Sequence, residues 1–298
     1  MRARLHKVLR DITDYRTRTV LVVASIALGV IAVGAITQTR IVLDRELEAA
    51  YLATDPADAI LALTPFDEAF VGAIESRPDV AAAEGRKMVT VQLETTPDEW
   101  VDLDLTALPD FDAQSVDRVV PEDGAWPPTE GTLVVERTAL DLLEGAGFGD
   151  ALTVRTPDER EHELRLAGSA YAAGAPPAFA LGYPSGYIDT DTLETLGYGR
   201  TYDELLLRTS TGQQTEAQVQ AVADDVADQA RSAALEVDYV TVNVPLEHPA
   251  QTSSDTVLMI LMILGLLTLA ASAFLVWNTV SAVLSAQTRQ IGVMKAIG

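Results

Sequence analysis

No cysteine occurs in the 298 residues. That excludes a disulfide framework and any thiolate metal site, and it leaves the redox compartment unread. Histidine is scarce. His6, His162 and His248 lie far apart, none has a metal-ligating neighbour at helical spacing, and no H-E-x-x-H run exists, so each reads as a surface histidine. Lysine is as scarce, three against eighteen arginines. The lysines follow His6, Arg86 and Met294, so none completes the Gly-Lys of a phosphate-binding loop. ATP binding of that kind is excluded, and any ATP-driven work needs a partner. No nucleophile is assembled either. "GYPSGY" sets Ser185 between Gly182 and Gly186 without a glycine two residues ahead, which reads as a strand entry or strained loop. The pairs Asp102/Asp104 and Asp189/Asp191 lack a D-x-[DN]-x-[DN]-G frame and read as solvated faces. The sequence therefore predicts no enzyme, no metal and no cofactor.

Charge is abundant but segregated. The net charge is −23. Residues 1–18 hold Arg2, Arg4, Lys7, Arg10, Arg16 and Arg18 against two acids, for +4. Residues 256–298 hold Arg289 and Lys295 and no acid. Between them, 40–255 carries 13 basic and 42 acidic residues, for −29. Such a body repels nucleic acid and anionic headgroups.

Two uncharged runs flank that body. Thr19 to Thr39 is 21 residues with ten Leu, Ile and Val, bounded by Arg18 and Arg40. As a helix it reaches about 31 Å, the thickness of a hydrocarbon core. A cleaved signal peptide is the competing reading, with Val33-Gly34-Ala35 as a small-residue cleavage site, but signal h-regions are shorter. Thr256 to Thr288 is uncharged for 33 residues, about 50 Å as a helix. That exceeds a membrane core, so the helix is expected to project beyond it at the acidic end. After the first run, Leu43, Leu47, Ala50 and Tyr51 share one helical face, which predicts a matching projection and a two-helix stalk. Ser25 and Gly29 sit four apart in the first span and Gly265 lies in the second; small residues let membrane helices pack closely, though they are also ordinary in such helices. Basic residues near a span stay cytoplasmic, so both termini are expected inside the cell membrane and the acidic body outside.

Within the body the periodicity changes. "DAILAL" is a short apolar run, Phe66, Phe70 and Ile74 repeat at helical spacing, and Pro78 stops that helix. "MVTVQLET" and "WVDLDL" alternate as strands, with Val101, Leu103 and Leu105 on one face. "TEGTLVVERTALDLLEGAGFGDALTV" reads strand, helix, glycine turn, strand. "TPDER" turns the chain into "HELRLAG" as a hairpin. The strand "DELLLRTS", an amphipathic helix from Thr215 to Leu235 and the strand "VDYVTVNV" close the domain. The fold class is an α+β extracytoplasmic domain between two transmembrane α-helices that extend into a stalk.

The ending, "SAVLSAQTRQIGVMKAIG", resembles the FtsX-like, MacB-type ABC permease family, whose segment after the second membrane helix reads roughly R-x-x-E-I-G-x-x-K/R-A-I/L-G. Arg289, Ile291, Gly292, Lys295, Ala296, Ile297 and Gly298 match it, and Gln290 stands where the family has an acid. "TLVVERTALDLLEGAGFGDALTV" is similar to a pattern in the family's extracytoplasmic domain, with Gly147 and Gly149-Asp150 at the turn from helix to strand.

The resemblance implies a cytoplasmic N-terminus (1–18), a first span (19–39), a MacB-like extracytoplasmic core domain (40–255), a second span (256–286) and the start of a coupling segment (287–298). Within the core it implies a membrane-proximal part, 40–120 and 200–255, and a distal insert, 121–199. It implies further spans after Gly298, so the chain is expected to be the first unit of a longer permease. It also implies partners: a cytoplasmic ABC ATPase dimer, a second permease subunit (the same or a different chain) and membrane lipid. ATP-driven motion would pass through the stalk to export or extract a lipid, lipoprotein, peptide or drug. Ile291, Met294 and Ile297 would then seat in an ATPase groove, with Arg289, Gln290 and Lys295 beside them. An interfacial helix on lipid is the competing reading of this segment.

Charge and topology fit a second class equally well, an extracellular sensor in a two-span signalling receptor. That reading calls for a heptad coiled coil after the second span. The two glycines of "IGVMKAIG", each costing about 1 kcal/mol in a helix interior, predict instead a short helix with a turn.

Overall fold

The computed structural model describes residues 16–143, 145–210, 215–243 and 251–297. Chain contacts divide it into two units, Met1–Glu46 with Ala250–Gly298, and Leu47–Pro249.

The first unit is a helix pair. Helix α1, Arg16–Leu52, runs unbroken out of the apolar stretch into "RIVLDRELEAAYL". Its partner, which we label α6, is Gln251–Ile297, 47 residues or about 70 Å of continuous helix. The pair is antiparallel: Gly29 lies against Leu269, while Val33 and Ile36, further along α1, lie against Gly265. Among the described residues one helix is long and apolar enough to cross a membrane, Thr256–Ala282; α1 holds a shorter apolar stretch, Ile26–Val42. The turn expected within "IGVMKAIG" does not form. Gly292 is helical, and the helix carries through to Ile297. A single interior glycine costs about 1 kcal/mol, which a helix this long absorbs.

The second unit is α+β. In chain order it contains β1 (Ala59–Phe66), α2 (Glu68–Glu75), β2 (Val80–Thr96), β3 (Glu99–Leu108), β4 (Val120–Gly124), β5 (Thr132–Glu136), a 3-10 helix (Arg137–Leu142), β6 (Ala151–Arg155), β7 (Glu161–Tyr171), α3 (Ala178–Leu181), β8 (Ser185–Asp189), α4 (Thr190–Thr195), β9 (Tyr202–Thr209), α5 (Glu216–Ser232) and β10 (Val237–Val242). The strands join in the order β10-β1-β9-β2-β3-β8-β5-β7-β4, with β6 bridging β2 and β7.

Two lobes share that path, and β2 belongs to both. Its first half pairs with β9, from Val80–Thr209 to Arg86–Glu204. Its second half pairs with β3, from Lys87–Ala107 onward. The first lobe packs Leu61, Leu63, Ala83, Leu205 and Leu207 against Val219, Ala223, Val226 and Ala230 of α5. Thr215 opens α5 with a capping box closed by Gln218. The second lobe buries Val91, Leu93, Leu103, Leu105, Leu133, Val154, Leu166 and Ile188. Full burial of each such aliphatic side chain contributes about 1.5–3 kcal/mol.

Several expectations shift. The lobe that contains 121–199 begins earlier in the chain, because the second half of β2 and all of β3 pair into its sheet. The helix expected after β5 is only a 3-10 turn. Ser185 starts strand β8, just past Gly182, whose left-handed φ of 84° ends α3. Asp189 is no solvated face: its Oδ1 accepts from the Thr192 backbone N–H and caps α4. Asp104 accepts from the Thr90 hydroxyl at 2.6 Å. His162 is half-buried in β7, with Nε2 lacking a partner among the described residues. His6 and His248 lie outside the described residues.

Candidate functional site

Three places carry the structural features relevant to function. The first is the C-terminal stretch of α6. Arg289, Gln290, Ile291, Met294, Lys295 and Ile297 all lie on continuous helical backbone; their side chains lie outside the described set. At 3.6 residues per turn, 291 and 294 share a face and 297 follows some 60° round from 294.

The second is the crossing of α1 and α6. A Cβ added at Gly29 would stand 3.1 Å from Leu269 Cδ1 and 3.4 Å from Leu269 Cα. One at Gly265 would stand 3.3 Å from Val33 Cγ2. The missing side chains therefore allow backbone-level approach at one point and side-chain packing at the other. The side chain of Ser25 lies outside the described set. Ser272, buried in the same unit, returns its hydroxyl to the Thr268 carbonyl of its own helix at 2.9 Å.

The third place was not visible in the sequence. One face of the first-lobe sheet packs on α5; the reverse face carries Glu84 and Arg86 from β2 beside Glu204 and Leu206 from β9. Glu84 and Arg86 are buried, each side chain 8% exposed. Arg86 donates from Nε to Glu84 Oε1 at 3.0 Å, and from Nη2 to the carbonyls of Val116 and Asp117 at 2.6 and 2.8 Å. Glu84 Oε2 accepts from the N–H groups of Ser115 and Val116. The segment between β3 and β4 is thus clamped across the sheet by one ion pair. Asp117 Oδ1 accepts from the Ala57 N–H at 3.1 Å, which ties that segment to the entry of β1. Asp55 then bonds both Arg118 and Arg208, at 3.2 and 3.0 Å.

Beside this clamp lies a cleft of about 240 Å³, lined by Tyr51, Arg86, Asp117, Tyr187 and Glu204 among others. Burial pushes the Asp117 and Glu204 carboxyls above their ordinary range, with Arg86 pulling each back. Burial also pushes up the Tyr51 and Tyr187 hydroxyls. Among the described residues no group of three or more His, Cys, Asp or Glu could hold a metal ion. The signal that could have found this place is Glu84-x-Arg86: two opposite charges on one face of a strand, with apolar residues on the other.

No protein-family model matches the sequence, and no curated protein does. Solved structures do match. The chain aligns with the extracellular domain of the noncanonic ABC-type transporter YknZ from Gram-positive bacteria at 12% identity and TM-score 0.42, over 61% of this chain and 100% of that one. It aligns with the periplasmic region of MacB from Actinobacillus actinomycetemcomitans at 9% identity and TM-score 0.41, over 69% and 95%. It also aligns with a domain of a protein described as a permease from Porphyromonas gingivalis, at 13% identity and TM-score 0.36, over 68% and 97%.

Proposed function

We propose that this chain is the membrane-anchored part of an FtsX-like, MacB-type ABC permease. In this reading α1 and α6 both cross the cell membrane, the termini face the cytoplasm and the acidic body lies outside. A separate ATPase dimer grips the segment around Ile291 and Met294. Its closing shifts the helices, and the shift reaches the body without substrate passing between them. The work done outside is export or extraction of a lipid, lipoprotein, peptide or drug, in a complex with a second permease subunit.

One observation carries this reading: α6 runs unbroken from the apolar stretch at Thr256 to Ile297. A lever needs a stiff connection between its engine and its load. A break at Gly292 would have let the ATPase move the segment while the span stood still. The residues that match the family's coupling segment sit on the same rigid rod as the span. The rod would serve a two-span sensor as well, and with no turn at Gly292 the glycines do not argue against one; a sensor still needs a heptad seam. Leu284, Ile291 and Met294 could lie on one, and Gln287 falls at the seam position between them.

Photo-crosslinking residues placed at 291 and 294, in the protein carrying this chain in native membranes, test the assignment. The expected adduct is a nucleotide-binding ATPase, lost on Ile291→Asp or Met294→Asp while membrane insertion is kept. Adducts to lipid alone, or to a signalling module, would overturn it.

A further inference from the structure

The cleft beside the Glu84–Arg86 clamp has more negative charge than its own residues neutralise. Arg86 is matched by Glu84, with Nη2 2.9 Å from Oε1. Asp117 and Glu204 face the same cleft, and neither has an ion-pair partner among the described residues. Their remaining contacts are single hydrogen bonds, from the Ala57 N–H to Asp117 and from the Tyr239 hydroxyl to Glu204 at 3.3 Å. A second, independent observation is Tyr187. It is only 6% exposed and lines the cleft; its hydroxyl makes no hydrogen bond among the described residues and is not one of the fully enclosed polar atoms, so it opens onto the cleft. Water would relieve that hydroxyl but would leave the two carboxylates uncompensated.

The remaining wall selects the kind of cation. Ile60, Met88, Leu206 and Ala173 make part of it apolar. A divalent ion wants six or more oxygen ligands, and two carboxylates with one phenol fall short. An ammonium group on a short carbon frame fits all parts at once. Its N–H donors would meet Asp117, Glu204 and the Tyr187 oxygen, and the carbon frame would cover the apolar wall. The volume suits it, since a cavity of about 150 Å³ holds benzene.

We propose that this cleft binds a small organic ammonium ion, with Glu204 and Asp117 as its counter-charges and Tyr187 as its hydrogen-bond acceptor. The site stands within the body alone, so it holds whether or not α6 couples to an ATPase. Burial raises both carboxyl pKa values, with Arg86 pulling each back only in part, so a bound cation would favour the ionised form of each.

Titration calorimetry on the full chain in detergent, with butylammonium chloride as the probe, decides the matter. Butylammonium should bind saturably at one site. Sodium butyrate, butanol and calcium chloride at equal ionic strength should give no saturable heat. Glu204→Gln should weaken butylammonium at least tenfold, and Tyr187→Phe, which keeps the ring, about threefold or more. Butyrate binding as tightly as butylammonium would overturn the assignment, as would affinity unchanged in a folded Glu204→Gln. Should either variant fail to fold, the four-probe comparison on the unaltered chain still decides: saturation by butylammonium alone supports the site, and its absence removes it.

Discussion

At the scale of single residues, the reverse face of the first-lobe sheet is set by a few close fits. Gly85 sits between Glu84 and Arg86 and points to the opposite face, where a Cβ would meet Tyr202 Cδ2 at 2.5 Å. The ring cannot simply swing away. Its hydroxyl donates to Glu68 at 2.9 Å, and its edge packs on Phe66, with ring centroids 5.8 Å apart. Gly85→Ala should therefore cost about 1–3 kcal/mol, the usual penalty of overpacking, read as a lower midpoint in denaturant. Tyr202→Leu in the same background should recover part of it. A second residue-scale prediction concerns pH. Asp117 and Glu204 have folded pKa values raised above their unfolded ones, chiefly by burial. For an acid shifted upward, the folded state binds the proton more tightly. The stability that proton gives is fully present below the ordinary carboxylate pKa and is lost as pH rises through the raised value. Melting temperature should thus fall for the native chain, relative to Asp117→Asn/Glu204→Gln, as pH climbs through that window. A parallel pair of curves would contradict the burial of these groups.

At the scale of elements, the helix crossing offers a clean test, because the chain has no cysteine of its own. Val33→Cys with Gly265→Cys should form a disulfide readily, given the 3.3 Å approach at that point. Adding Gly29→Leu should suppress it several-fold, because Leu269 leaves no room for the larger side chain. Unchanged crosslinking would mean that Gly29 does not set the spacing of the pair. The elements also show what was legible in the sequence. Val101, Leu103 and Leu105 alternate cleanly, and β3 buries Leu103 and Leu105 completely. The amphipathic pattern after Thr215 is α5, and "TPDER" does turn β6 into β7. The first half of β2 was not legible. In "AEGRK" no apolar alternation marks a strand, and only the tertiary pairing of Glu84 with Arg86 lets two charges lie inside a sheet. The cleft was invisible for a related reason: Tyr51, Arg86, Asp117, Tyr187 and Glu204 share no local spacing, and they come from a helix end, a connecting segment and three separate strands.

At the scale of the whole molecule, the segregation of charge is an argument about sides. Residues 40–255 carry −29, while the segments beyond both apolar runs are basic. Arginine and lysine near a span are retained in the cytoplasm. A membrane potential negative inside opposes the exit of a positive charge by about 2.3 kcal/mol per 100 mV, and it favours the exit of an acidic one. Both effects push the same way here, so the proposed topology has the body outside and both flanks inside. Single cysteines introduced at Lys7, Glu163 and Thr288 would report it without background labelling. In intact cells an impermeant maleimide should label position 163, and positions 7 and 288 only after permeabilisation. Labelling of 163 and 288 from the same side would end the lever model, because an ATPase in the cytoplasm could then not reach α6 while the body worked outside. A mature protein from which position 7 has been removed would instead make the first apolar run a signal peptide. The body would then hang from α6 alone, and a single rod can pull or push but cannot shear against a partner helix from its own chain.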